Sequence, residues 1–204
     1  MSSGERSPEH FAAMYQGKPP WDIDRPQQAF IRLAEEEAIR GDVLDAGCGT
    51  GENALYLAGR GHAVVGIDAV PAAIERARGK MLARRQEVEF RVADALQLQT
   101  LGRTFDTVID CGLFHALSDE DRARYVASLA AVLRDGGRLF LLCFSERVAG
   151  DWGPRRVTER ELREAFSHGW EVERIAPERM ENNLQGGVDG WLATMRRVAQ
   201  AAGS

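Results

Sequence analysis

The chain reads as a doubly wound α/β domain on a mostly parallel seven-stranded sheet, with an antiparallel C-terminal strand and an N-terminal helical extension. Three observations predict it. Short apolar runs alternate with segments of helical period. The first run, Val43-Leu44-Asp45-Ala46, ends in Gly47-Cys48-Gly49-Thr50-Gly51, three glycines in five residues. Four acids, Asp45, Asp68, Asp94 and Asp110, fall at or just past the carboxyl ends of the first four predicted strands, where open α/β sheets bind ligands.

The elements follow in order. Residues 26–38 predict a helix with Pro26 in its first turn and Ala29, Phe30, Leu33, Ala34 and Glu37 along its apolar stripe. The run 43–46 is a buried strand, followed by a helix over 52–60 closed by Gly59 and Gly61. A second strand spans 63–68, a helix runs from Val70 to about Arg85, and strands at 88–92 and 105–110 come next. Ser118, with Asp121 three residues on, caps a helix whose buried stripe is Ala123, Val126, Leu129, Ala130 and Leu133, stopped by Gly136-Gly137. Residues 138–144 are almost continuously apolar, as a strand covered on both faces is. Thr158 and Glu161 form a capping box for a helix to about Ser167. Strands over 170–175 and 190–198, joined by a polar, glycine-containing stretch, complete the sheet as an antiparallel addition.

A chain of 204 residues suits one domain. Within it, residues 1–8 read as a loose tail, 9–40 as a cap over the ligand site and 41–204 as the α/β core. A formal net charge of −5 and 28% charged residues, with Lys and Arg dispersed, leave no electrostatic footprint for a nucleic acid. No apolar stretch reaches the roughly 20 residues that span a bilayer, and the polar start lacks a secretory h-region. A cytoplasmic protein without a membrane partner is the expectation. Cys48, Cys111 and Cys143 give neither a disulfide framework nor a zinc spacing, so no metal is expected. Oligomeric state is not legible in the sequence.

The glycine turn allows a ligand to approach the backbone closely. A dinucleotide fingerprint has its third glycine one residue later, and here Glu52 takes that place. The turn holds no Lys or Arg, and a pyrophosphate beside Asp45 and Glu52 would meet like charge. A ligand with an ammonium and a sulfonium, such as S-adenosylmethionine, would be favoured. Asp68, about 20 residues past the turn, suits the ribose hydroxyls of either ligand.

VLDAGCGTG (43–51), VVGID (64–68), ADAL (93–96) and FDTVIDCGLFHAL (105–117) resemble, in order and spacing, the motifs of class I S-adenosylmethionine-dependent methyltransferases. The resemblance covers roughly residues 40–145 and implies a Rossmann-like fold. It implies that Gly47 and Gly49, with Gly51 completing the turn, approach the methionine part while Asp45 helps hold its ammonium. It places Asp68 on the ribose, Asp94 and Ala95 on the adenine, and Asp110 and Cys111 beside the methionine moiety.

Residues 15–26, YQGKPPWDIDRP, resemble the PWD-x-G-R segment of small-molecule thiol, halide and thiopurine methyltransferases and their tellurite-resistance relatives. There the segment folds over the cofactor, which implies that Trp21 packs on it and that Arg25 reaches its carboxylate. Asp24 stands where such segments often carry Gly. His115, in the loop after the fourth strand, faces the expected acceptor entry and is a candidate to orient an acceptor or take its proton. Residues 145–156, with Asp151, Trp152 and Gly153, are a second candidate wall. The resulting expectation is methyl transfer to a small thiol, phenol or hydroxyl, or heteroaromatic acceptor. A binding protein without turnover, a protein or RNA methyltransferase, and a nicotinamide oxidoreductase stay open as alternatives.

Overall fold

The computed structural model describes residues 8–150, 152–184 and 186–199. The expected tail over 1–8 lies outside them except for Pro8, and so does Asp151.

Seven strands form one sheet in the order β3-β2-β1-β4-β5-β7-β6. They are β1 (Val43–Ala46), β2 (Val64–Asp68), β3 (Glu89–Val92), β4 (Phe105–Cys111), β5 (Leu133–Phe144), β6 (Trp170–Met180) and β7 (Val188–Arg197). β1 to β5 pair in parallel, and β7 lies antiparallel between β5 and β6. The chain moves outward from β1 in both directions, so the switch point of the winding lies between β1 and β4, where ligands of such sheets bind.

Among the described residues six α-helices accompany the sheet: α1 (Pro8–Met14), α2 (Gln28–Glu35), α3 (Glu52–Gly59), α4 (Pro71–Arg84), α5 (Asp119–Val132) and α6 (Glu159–Ala165). α2, α3 and α4 cover one face around Phe30, Leu55, Leu57, Ile74 and Phe90. α5 and α6 cover the other around Leu44, Val108, Tyr125, Leu129, Phe166 and Trp191. β1 is buried along its whole length, which is why its sequence does not alternate. The Thr158–Glu161 capping box is formed, and the Ser118 side chain caps α5 through the Asp121 N–H at 3.1 Å.

Three expectations are corrected. α2 begins at Gln28 behind Gln27 as N-cap, so Pro26 stands before the helix, and Glu37 lies past its end with φ +54°. α5 stops at Val132 without a loop, and Gly136-Gly137 fall inside β5, where the pairing slips from Phe105↔Leu133 to Thr107↔Arg138. β6 runs on from the expected 170–175 to Met180, while β7 covers 188–197 against the expected 190–198; they pair from Trp170↔Arg197 to Met180↔Val188, so about half of the expected connecting stretch is strand.

Candidate active site

The β1–α3 turn is built from three left-handed glycines, Gly47 (φ +73°), Gly49 (φ +55°) and Gly51 (φ +84°), a conformation that other L-residues adopt at a cost. Their surroundings differ. A Cβ on Gly47 would lie 3.1 Å from the Leu113 side chain, and one on Gly49 3.0 Å from the Tyr15 hydroxyl. A Cβ on Gly51 would lie 2.6 Å from the Phe90 ring and 3.0 Å from Ala77. Gly51 therefore serves the packing of β3 and α4 beneath the turn. The turn is joined to β2 by the Cys48 N–H on the Ile67 carbonyl (2.7 Å) and by Asp68, whose carboxylate accepts the N–H groups of Gly49 (3.0 Å) and Val70 (2.8 Å).

Above the turn lies a strap, residues 15–27, fastened on two sides. On the α4 side, Arg76 donates to the carbonyls of Tyr15 (2.5 Å) and Gly17 (2.9 Å). Buried Asp22 accepts the Thr50 hydroxyl at 2.8 Å, and Lys80 donates to Thr50 at 2.8 Å. On the other side is the tip of the β6–β7 hairpin. There Gln27 and Glu181 exchange hydrogen bonds, the Gln27 amide donating to the Glu181 carbonyl (3.0 Å) and accepting its N–H (2.9 Å). Asn183 donates to the carbonyls of Pro20 (2.8 Å) and Asp22 (2.6 Å). The Trp21 indole N–H donates to the Tyr15 hydroxyl at 3.0 Å, and its ring meets Phe11 and Tyr15 edge to face. Asp24 does occupy a left-handed position, φ +56°, and pairs with Lys18.

Turn and strap enclose a cavity of about 310 Å³. Nine of the sequence-predicted residues line it: Trp21, Arg25, Gly47, Gly49, Asp68, Asp94, Ala95, Cys111 and His115. Asp45, Gly51 and Asp110 do not. Asp45, on the α3 face of β1, is wholly buried with no full hydrogen bond to either oxygen. That burial pushes its carboxyl up to about 8, the Ala54 amide offsetting part of the rise and Asp110 and Asp68 adding to it. Asp110, buried on the α5 face, accepts the Leu113 N–H at 2.8 Å and the Phe114 N–H at 3.1 Å, and burial raises it to about 7. It shapes the loop after β4 from behind. Arg25 is turned to Glu181 at 2.8 Å, so its charge is met at the hairpin tip. Glu52 is held below the usual carboxylate range: although burial raises it, Arg84 (2.8 Å on both oxygens) and Lys80 (2.9 Å) outweigh that. The negative charge expected from Glu52 is thus compensated; Asp22, Asp68, Asp94 and Asp121 are the other acids along the cavity. Burial raises Asp68 as well.

The opposite wall is the loop 112–117. Arg122 donates to the Phe114 carbonyl at 3.0 Å and lies 4.7 Å from the centre of its ring, so the Phe114 peptide is held from both ends. His115, 6% exposed, stands edge-on to Phe144 with ring centres 4.9 Å apart. The Phe144 N–H donates to its Nδ1 at 3.0 Å. An Nδ1 that accepts carries no proton, so the ring's proton is on Nε2. Of the two expected roles, orienting an acceptor or taking its proton, this arrangement suits the first, because taking a second proton would break the buried Phe144 bond. The Arg156 guanidinium donates to the carbonyls of Gly150 (2.8 Å), Pro154 (2.9 Å) and Trp152, and Pro154 reaches the cavity.

Phe11, Tyr15 and Asp22 line the cavity from the cap expected over 9–40, Asn53 and Met180 line it without having been expected, and Lys80 and Arg84 support it from α4. The donor set fits S-adenosylmethionine. Glycines leave room at the turn, Asp68 closes β2, Asp94 and Ala95 follow β3, and the one Arg on the wall is already paired, so nothing is set to receive a pyrophosphate.

Comparison with known proteins agrees with this geometry. Residues 43–137 match the family model described as a methyltransferase domain. The 2-heptyl-1-hydroxyquinolin-4(1H)-one methyltransferase of Mycobacteroides abscessus is 41% identical over 187 residues, spanning 90% of this chain and 81% of that protein. A structure described under "Conversion of a Disulfide Bond into a Thioacetal Group during Echinomycin Biosynthesis" superposes with a TM-score of 0.87 at 36% identity, covering 96% of this chain and 95% of the other. The magnesium protoporphyrin IX methyltransferase of Synechocystis, solved with bound SAM, shares the fold at a TM-score of 0.64 and 21% identity, covering 96% of this chain and 85% of that one.

Proposed function

The chain belongs to the class I S-adenosylmethionine-dependent methyltransferases, and from that premise we propose that it methylates a small hydroxylated heteroaromatic molecule on oxygen. The observation that carries the reading is the acceptor wall: Leu113, Ala116, Leu117, Pro154 and Met180 with a single imidazole donor among them. Apolar side chains of this kind suit a flat ring, and His115 offers one directed hydrogen bond for an oxygen on it. The acceptor named for the Mycobacteroides relative, a 1-hydroxyquinolone, has this chemistry.

The bound cofactor supplies a methyl group already activated on a sulfonium, so the protein's task is alignment and exclusion of water. Gly47 and Gly49 admit the cofactor to the backbone, Asp68 and Asp94 take its adenosine end, and the strap covers both. The acceptor enters as its oxyanion, its proton already lost to solvent, and His115 donates from Nε2 to that oxygen and holds it in line. The loop carrying His115 is fixed by Asp110 and Arg122, so the donor is in place before the acceptor arrives.

The test is turnover with S-adenosylmethionine against an N-hydroxyquinolone, the same quinolone lacking the hydroxyl, and an aryl thiol. O-methylation of the hydroxyquinolone with the highest kcat/KM is expected. A higher kcat/KM for the thiol would replace this reading by sulfur methylation.

A further inference from the structure

The Tyr15 hydroxyl has a place in the site that the mechanism above does not use. It is buried under the strap, accepts the Trp21 indole N–H at 3.0 Å, and lies 3.0 Å from where a Cβ on Gly49 would be. Asp68 meets the same glycine, accepting the Gly49 N–H at 3.0 Å, and its charge acts on the phenol. Both residues line the cavity. A phenol that accepts from an indole still has its own hydrogen to donate, and no acceptor for it exists among the described residues. The Tyr15 carbonyl is fixed by Arg76, whose guanidinium also lies 5.8 Å from the centre of the Tyr15 ring, so the hydroxyl is held in a rigid frame.

We infer that Tyr15 is a cofactor-binding residue whose O–H donates to a ribose hydroxyl at the Gly49–Asp68 corner. A ribose hydroxyl is donor and acceptor at once: it donates to the Asp68 carboxylate and accepts from Tyr15, so the pair reads both halves of the group. Trp21 acts through Tyr15, since an indole N–H donated into the phenol oxygen polarises the O–H and strengthens its donation. The phenol stays protonated throughout the working pH range, because burial and the nearby Asp68 charge both push it above its ordinary value. The inference rests on the cofactor assignment, and its test separates the two.

Titration calorimetry is run with S-adenosylhomocysteine and with 5′-methylthioadenosine, which keeps the ribose and adenine but lacks the amino-acid chain. Wild type binds both. Tyr15→Phe, which removes one oxygen and leaves the ring, weakens both by the same factor, about five- to ten-fold for one hydrogen bond. Trp21→Phe weakens both by about two- to three-fold as the bond loses its polarisation, and adds nothing on the Tyr15→Phe background. Methylthioadenosine binding that Tyr15→Phe leaves unchanged overturns the ribose assignment, and additive losses in the double variant overturn the relay from Trp21. Wild-type protein that binds neither compound overturns the cofactor reading itself. Thermal melting of each unliganded variant within about 3 °C of wild type shows that the affinity changes are not those of a loosened fold.

Discussion

The backbone N–H of Phe144 donates to Nδ1 of His115 at 3.0 Å, and this bond between a β5 residue and the loop after β4 fixes where the imidazole carries its proton. His115→Ala should lower kcat for an oxygen acceptor by about 10- to 100-fold, the worth of one directed bond to a partly charged oxygen. The affinity for S-adenosylhomocysteine should not change. His115→Gln, which offers an amide N–H at similar reach, should recover part of the loss, whereas a general base would not be rescued this way. Steady-state kinetics beside calorimetry on the three proteins decide it.

Gly51 and Phe90 are a steric pair. Gly51→Ala adds a methyl group 2.6 Å from the Phe90 ring at φ +84° and should cost about 2–4 kcal/mol. Gly61 has a similar φ, +95°, with nothing near its missing side chain, so Gly61→Ala should cost about 1 kcal/mol. Phe90→Leu should recover part of the Gly51→Ala loss. Chemical denaturation of the four variants measures the coupling.

Gln27 and Glu181 close the strap through two reciprocal hydrogen bonds. Gln27→Ala removes both and should speed cofactor dissociation by about ten-fold, the equivalent of about 1.4 kcal/mol. The methyl-transfer step itself should change little. Stopped-flow release of S-adenosylhomocysteine separates the two rates.

Asp24 shows how a departure from a family pattern is absorbed. Asp is among the few side chains that tolerate left-handed backbone, and its exposed pair with Lys18 contributes little. Asp24→Gly should therefore leave stability within about 1 kcal/mol of wild type. Asp24→Val should lose about 1–2 kcal/mol, because a β-branched residue is strained there. Thermal melting of both variants tests the pair.

The buried carboxyls set a pH dependence. Asp45 and Asp110 are raised to about 8 and about 7, against about 3.9 in an unfolded chain. Between these limits the folded protein binds more protons than the unfolded one, so stability is greatest near the acid end and falls as pH rises through 7 and 8. A higher melting temperature at pH 5.5 than at pH 8.5 is expected. Asp45→Asn should flatten the slope; an unchanged slope would assign the effect to other groups.

The parallel half of the sheet was legible because its signals are local. β1, apolar but for Asp45, the glycine turn and the capping residues Ser118 and Thr158 each need only their own neighbours. The antiparallel half was read too short. Along β6 the run Glu171-Val172-Glu173-Arg174 breaks alternation and Pro177 argues against a strand, yet β6 is an edge strand, where a proline's missing N–H costs nothing. The candidate site was legible where a residue belongs to a motif. What could not be read joins segments far apart in the chain: Glu52 to Arg84 and Lys80, Gln27 to Glu181, Tyr15 to Gly49. The acids Asp45 and Asp110 stood at the right strand ends, but strand parity turned them toward α3 and α5 instead of the cavity.

The position of β7 has a consequence for how the molecule is made. Among the described residues β6 has no strand partner other than β7, so when the ribosome has finished β6 that segment has nothing in the sheet to pair with. Only when β7 emerges can it slot beside β5 and carry β6 in with it, and only then do Glu181 and Asn183 exist at a place where residues 20–27 can meet them. A nascent chain halted before residue 188 can assemble the glycine turn and β1 to β5, but its N-terminal strap can fasten only on the α4 side, through Arg76, Thr50 and Lys80. Ribosome-bound chains stalled on either side of β7 should therefore differ sharply in their capacity to retain the cofactor.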